Sequence, residues 1–224
     1  MSDPGLAAKD PELLIEAARV FNAAGTDYRS ASELVAELAL QQVQALSDQD
    51  RQDPKKLNPK VYQAIIGDCA ALRLSGRVLG GYQEALALLD AALAAKQPDL
   101  DWDGRLHLLR ALANGQKYKE ERKIKQKSAT VPELTVLRET IRTDLKFAFE
   151  KDKSKDLKAA NRCFWQPEAG HMDEDDLAQV YLDDDEFRKL VSPPAGQSAP
   201  AEQAKEPAAA AAGPEPATAD VKTQ

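Results

Sequence analysis

The side chains suited to acid–base, nucleophilic or metal chemistry are few in this sequence and poorly spaced for it. There are two histidines, His107 and His171. His107 stands among leucines in Arg105-Leu-His-Leu-Leu, which reads as a packed or groove-edge ring rather than a ligand. His171 adjoins Asp173, Glu174, Asp175 and Asp176, oxygen donors that suit a hard cation. A calcium loop, however, alternates its ligands over about twelve residues around a central glycine and closes on a glutamate, and that order is absent. Cys69, on an Ala/Leu stretch, reads as a small apolar residue. Cys163 follows Arg162, whose charge favours thiolate, but has no histidine near it in sequence. Two cysteines are too few and too far apart for a disulfide framework or a four-ligand zinc site. Gly76, Gly80 and Gly81 are not followed by the Lys-Ser/Thr that grips phosphate. The sequence therefore predicts no catalytic, cofactor-binding or metal-binding residues, and a protein that is not an enzyme.

What remains to be placed is charge. The formal net charge is −7 over 224 residues. Arg105 to Arg162 hold 16 Lys and Arg against 8 Asp and Glu, a net of +8. Phe164 to Val191 hold nine acids and two bases, a net of −7. Three arrangements are compatible: solvated helix faces, an acidic segment lying over a basic surface of its own chain, or a surface for nucleic acid or phosphate. The second predicts competition, with residues 172–187 covering a basic helix at 133–158 until a partner displaces them. The third needs aromatic residues among the lysines. Tyr118 is the only one within Lys117–Lys127 and there is none within Lys151–Lys158, which disfavours a nucleic-acid surface on 117–158.

The elements that carry these groups read as helices. The hydrophobic fraction is 43% but only 5% is aromatic, and Ala and Leu suit close-packed helices better than sheets. No apolar run approaches the ~20 residues of a membrane span, and Met1–Leu14 lacks a basic, then apolar, leader. These features predict a soluble cytoplasmic chain. Asp10 and Pro11 cap and open a first helix that stops around Gly25, with Leu13, Leu14, Ala17, Ala18 and Phe21 on one face. A second runs from about Ser30 to Leu46 with Leu34, Val35, Leu38 and Val43 as its stripe. Residues 47–60 read as a loop. Further helices span Pro59–Leu74, Tyr82–Lys96 and Trp102–Ala113. Thr130-Val-Pro-Glu133 has the order of a capping box opening a helix to about Lys151, with Leu134, Leu137, Ile141, Leu145, Ala148 and Phe149 inward. A short helix at 156–163 ending in Phe164-Trp165 reads as packing. Leu177, Val180 and Tyr181 fall at helical spacing in the acidic segment and give it the look of a docking helix. From Pro193 onward, 11 Ala and 6 Pro with a single Val make a tail that cannot bury a core.

Glycine followed closely by tyrosine recurs at Gly25/Tyr28, Gly81/Tyr82 and Gly115/Tyr118, each read as a turn between paired helices. The last two glycines are 34 residues apart, the period of a helix-turn-helix repeat. Gly81, Tyr82, Ala85, Leu89, Ala92 and Pro98 resemble the second half of a tetratricopeptide repeat, and Gly67 resembles the small residue of its first helix. The linker at 75–80 is longer than the family's tight turn, an insertion separates the first pair, and Lys119–Lys127 lacks the expected alanines.

The resemblance implies an all-α fold: a flexible N-terminus at 1–9, a short tetratricopeptide-like α-solenoid of about three helix pairs at 10–127, a C-terminal helical cap with the acidic segment at 128–191, and a disordered tail at 192–224. It further implies an adaptor or scaffold that holds another protein's segment in a groove lined by the first helix of each pair. Trp102, Arg105, Leu109 and Leu112 recur at helical spacing as groove candidates. Arg105 and Arg110 suit an acidic peptide or a terminal carboxylate. The family's two-carboxylate clamp is not recognisable. Self-association through an uncovered array end is a further expectation.

Overall fold

The computed structural model describes residues 10–25, 29–75, 81–95, 100–152 and 176–191, and every regular element among them is helical. Helix α1 (Pro11–Ala23) is capped by Asp10, whose carboxylate accepts from Glu12 N–H at 2.9 Å, and it stops before Gly25 at φ 114°. There follow α2 (Arg29–Gln44), α3 (Asp48–Gln52), α4 (Pro59–Ser75), α5 (Gly81–Ala94), α6 (Arg105–Lys119) with a π-helical turn (Glu120–Ile124), α7 (Pro132–Lys151), α8 (Ala178–Asp183) and α9 (Asp185–Val191). Tyr28, Pro98, Cys163, Phe164, Trp165, His171, the expected helix at 156–163, residues 1–9 and the tail at 192–224 lie outside the described residues.

Successive helices pack on one another, α1 on α2, α2 on α4, α4 on α5, α5 on α6 and α6 on α7, and α4 also touches α1 and α6 directly. Two cores result. The first gathers α1, α2, α4, α5 and α6 around Ile65, Leu89 and Leu106; the second joins α6 and α7 to α8 and α9 around Tyr118, Ile141, Leu145 and Phe187. Gly81, Tyr82, Ala85, Leu89 and Ala92 are the buried residues of α5, so the residues that carry the repeat resemblance are the ones this helix packs with.

Several expectations are corrected. On α1 the fully buried residue is Ile15, while Leu13 faces solvent. On α2 the buried stripe is Ser32, Ala36, Ala39, Leu40 and Val43, and Leu34 and Leu38 point outward. Small residues win because the α1–α2 contact is close: Ser32 Oγ donates to the Ala18 carbonyl at 2.8 Å. The stretch 47–60 is not a plain loop. Ser47 Oγ accepts from Asp50 N–H, and with Asp48 and Asp50 in the first turn it supports α3. The Thr130 box does not form. Pro132 takes the first helical position, which makes Val131 the cap, and the Thr130 hydroxyl pairs with Ser128 instead.

The largest correction concerns Gly115. It lies inside α6, not in a turn, so the 34-residue spacing does not separate two loops. A glycine in mid-helix costs about 1 kcal/mol against alanine. What it allows is close approach, since a Cβ here would stand 2.4 Å from the Asp176 carbonyl oxygen and 2.8 Å from Leu177 Cδ2. Trp102 also falls outside the helix. The start of α6 is set by Gly104 at φ 81°, whose Cβ would lie 2.6 Å from Ala148 Cα. Gly104→Ala should therefore cost more than about 2 kcal/mol by chemical denaturation, from left-handed strain and displacement of α7; a loss under about 0.5 kcal/mol would contradict this account.

The described part of the acidic segment is built into the second core. Leu177, Val180, Phe187 and Val191 are fully buried. Asp183 accepts from Tyr118 Oη at 3.0 Å and Arg122 Nε at 2.6 Å, and Asp184 pairs with Arg142 and Arg138. Burial pushes the Asp183 carboxyl up, but hydrogen bonds from Arg122, Gln179 and Tyr118 outweigh it and leave the group below its ordinary range. Part of the opposition between basic and acidic blocks is thus spent within the chain.

Candidate functional site

Helices α1, α4 and α6 meet at a cleft of about 240 Å³. Its polar centre is Asp68 on α4. Arg19 Nε of α1 donates to Asp68 Oδ2 at 2.6 Å, and Arg105 Nη2 of α6 donates to Asp68 Oδ1 at 2.5 Å. One carboxylate thus serves two guanidinium groups, and Arg19 reaches a second acid, Glu16, at 2.6 Å. Ile15, Ala18, Ala71 and Leu72 supply apolar walls, with Ser32 and Ser75 as hydroxyls. Gly67 faces α6 here, and a Cβ on it would meet the Arg105 guanidinium at 3.5 Å, an ordinary van der Waals contact. Each guanidinium keeps donors beyond those used on Asp68, in a fork that matches a carboxylate.

The residues singled out in sequence separate in space. Arg105 lines the cleft. Trp102 stands at the start of α6, 50% exposed, with the Lys60 ammonium 5.1 Å from its ring centre. Leu112, two turns beyond Arg105 on the same face, is half-buried where the two cores meet. Leu109 is buried in the first core and offers nothing to a ligand. Arg110 faces away from the cleft. It holds the buried Asp144 of α7 through two bonds, at 2.9 and 2.6 Å, and touches Asp90 of α5. Sequence reasoning missed Arg19 and Asp68, the two groups that complete the cluster. Their only local signal is a charge interrupting an Ala- or Ile-rich helix, and 49 residues separate them.

The histidine follows the packing reading. His107 Nδ1 lies 2.5 Å from Asp101 Oδ2, and the ring stacks on Phe147 with centroids 4.0 Å apart. Asp101 also accepts from the backbone N–H groups of Leu106 and His107. The pair therefore fastens the first turn of α6 rather than activating a nucleophile. Among the described residues no three metal-ligating side chains converge, and no helix is long and apolar enough to cross a membrane. Cys69 is buried, its Sγ 3.3 Å from the Ala36 carbonyl, and burial pushes its thiol up to about 12. Iodoacetamide at neutral pH should leave Cys69 unmodified in the native chain and alkylate it in denaturant, as read by peptide mass mapping; rapid native labelling would refute the burial.

A second cleft, of about 350 Å³, opens on the opposite side of α4, lined by Tyr62, Ile66, Leu88 and Ala92 with Gln44 and Arg51. Comparison with protein-family models, curated proteins and solved structures gives no match to this chain.

Proposed function

We propose that this protein is a non-enzymatic interaction module whose helices α1, α4 and α6 hold an extended, acidic segment of another protein. The observation that carries the reading is the order of packing. Helices α1/α2, α4/α5 and α6/α7 form three successive pairs, each second helix rests on the first helix of the next pair, and α1, α4 and α6 lie side by side. That order is the one a short α-solenoid would have, with the first helix of each pair lining one face. The third pair is α6 with α7, which replaces the pairing expected from Gly115. On the shared face stand Arg19, Asp68 and Arg105 with apolar walls, a combination that suits a carboxylate flanked by aliphatic side chains. A nucleic-acid surface on 117–158 has less in its favour. Arg122, Lys125, Lys127, Arg138 and Arg142 in that region already face carboxylates of the chain itself.

Selection of random peptides displayed against the full chain tests this reading. Recovered peptides should carry Asp, Glu or a free C-terminus beside an apolar residue. Arg19→Ala and Arg105→Ala should each weaken them about tenfold, the worth of one charge-assisted bond. Peptides that bind both variants as well as the original chain would sink the proposal, and so would a selection that recovers none.

A further inference from the structure

We infer that the second cleft, walled by α2, α3, α4 and α5, binds a small aliphatic monocarboxylate, with the Tyr62 hydroxyl as donor to the carboxylate. A buried tyrosine usually finds a partner for its hydroxyl. Of the three buried among the described residues, Tyr82 donates to Glu120 at 2.7 Å and Tyr118 to Asp183 at 3.0 Å. Tyr62 is 8% exposed and lines the cleft, and its hydroxyl has no hydrogen-bond partner among those residues. Burial also pushes the phenol above its ordinary value, so at neutral pH it carries its proton and can donate it. The cleft therefore holds one unspent donor beside an apolar wall.

The class of ligand follows from the rest of the lining. Ile66 and Ala92 are 2% exposed, Leu88 is half-buried, and Ala91 adds a methyl, so the wall is aliphatic. Alanine at both α5 positions leaves the room that a longer side chain would take. At ~30 Å³ per non-hydrogen atom, the share of a molecule in liquid water, 350 Å³ holds about a dozen such atoms. Arg51 and Asp48 are the charged residues of the lining. Their effects are unequal. The Asp48 side chain is 85% exposed, where water screens it, while that of Arg51 is 25% exposed. Of the two, Arg51 also bears the more strongly on the Tyr62 phenol. An anion is thus favoured over a cation at that hydroxyl. Helix α3 buries none of its own residues. What it brings to the cleft is Arg51, tied back to the Gln44 carbonyl at 3.0 Å.

Titration of the full chain with octanoate, followed by amide NMR shifts, tests this inference. The expected result is saturable binding with a Kd of about 1 mM or tighter, as suits a ligand of this size. Octylammonium, of the same length and opposite charge, should bind at least about tenfold more weakly. Tyr62→Phe keeps the ring and removes only the hydroxyl. It should weaken octanoate about tenfold, the worth of one charge-assisted bond, and leave Tm unchanged, since that hydroxyl holds nothing in the fold. Ala91→Phe, at an exposed position of α5, should fill the cleft and abolish binding without unfolding the chain. No saturation by about 10 mM octanoate would overturn the inference. Equal binding of octylammonium would also overturn it, as would full affinity in Tyr62→Phe, because each marks adventitious apolar association only. A clear fall in Tm for Tyr62→Phe would overturn it by showing that the hydroxyl already serves the fold. The inference stands apart from the α1–α4–α6 groove. Arg19→Ala and Arg105→Ala should leave octanoate binding unchanged, and a loss in either would place the ligand in that groove and overturn the assignment.

Discussion

Replacing Arg110 by alanine is expected to destabilise the chain by about 3 to 5 kcal/mol, because it strips the partner from a buried carboxylate. Asp144 is almost wholly inaccessible, and both its oxygens accept from the one guanidinium. Without Arg110 the carboxylate must stay charged in an apolar setting or take up a proton, and either costs stability. In a domain of this size the loss amounts to roughly 10 °C in Tm. Arg110→Met with Asp144→Leu should return most of it, to within about 1 kcal/mol, since removing both charges leaves nothing uncompensated. The peptide binding proposed for the α1–α4–α6 cleft should be unaffected once the fold is intact. A Tm within about 2 °C of the original for Arg110→Ala would show that the bridge is not what holds α6 to α7.

Phe187→Ala carries the second large effect, about 3 to 5 kcal/mol, by opening a cavity under α9. The residue is fully buried and meets Tyr181 edge-on at 6.5 Å. This prediction also bears on the expectation that the acidic segment is a displaceable cover. Freeing Leu177, Val180, Phe187 and Val191 together would forfeit about 6 to 12 kcal/mol of apolar burial, at 1.5 to 3 for each side chain and as an upper bound. A micromolar ligand supplies about 8 kcal/mol in total, so competition for this segment is costly. Hydrogen exchange gives the test. The amides of α8 and α9 should exchange only as slowly as those of α7, and much faster exchange at 178–191 would restore the segment as a removable strap.

Acid should loosen the same segment. Asp183 is held below its ordinary range in the fold, so its contribution is complete above the unfolded value near 4 and is lost as pH falls through the lower folded value. Asp183→Asn should therefore weaken the chain at neutral pH and flatten its stability loss below about pH 4. An acid limb identical to that of the original chain would remove Asp183 from the account.

How much was legible in sequence varies by level. The spans of α1, α4 and α5 follow from local signals: Asp10 and Pro11, the Pro59 start, the Gly81-Tyr82 pair. Faces were less legible. Leu13, Leu34 and Leu38 are larger and more apolar than Ser32 or Ala36, yet they lie outside. Burial is decided by which neighbour comes close, and a contact as close as Ser32 Oγ to the Ala18 carbonyl excludes leucine. Gly115 misled for the same reason. A glycine that ends a helix and a glycine that admits another backbone look alike until Asp176 is seen against it.

The candidate site divides in the same way. Arg105 was marked as suiting an acidic ligand, and Arg110 was marked with it on equal grounds. Only the packing of α7 shows that Arg110 serves Asp144, and only the meeting of α1 with α4 brings Arg19 to Asp68. By itself the sequence determined the helical class, several helix ends and the opposed charge blocks, all of which depend on residues near one another in the chain. Tertiary structure decided which leucines stay exposed, which arginine lines the cleft and how the acidic segment is spent. Those outcomes rest on contacts between residues 14 to 65 positions apart, whose closure costs entropy that no local pattern records.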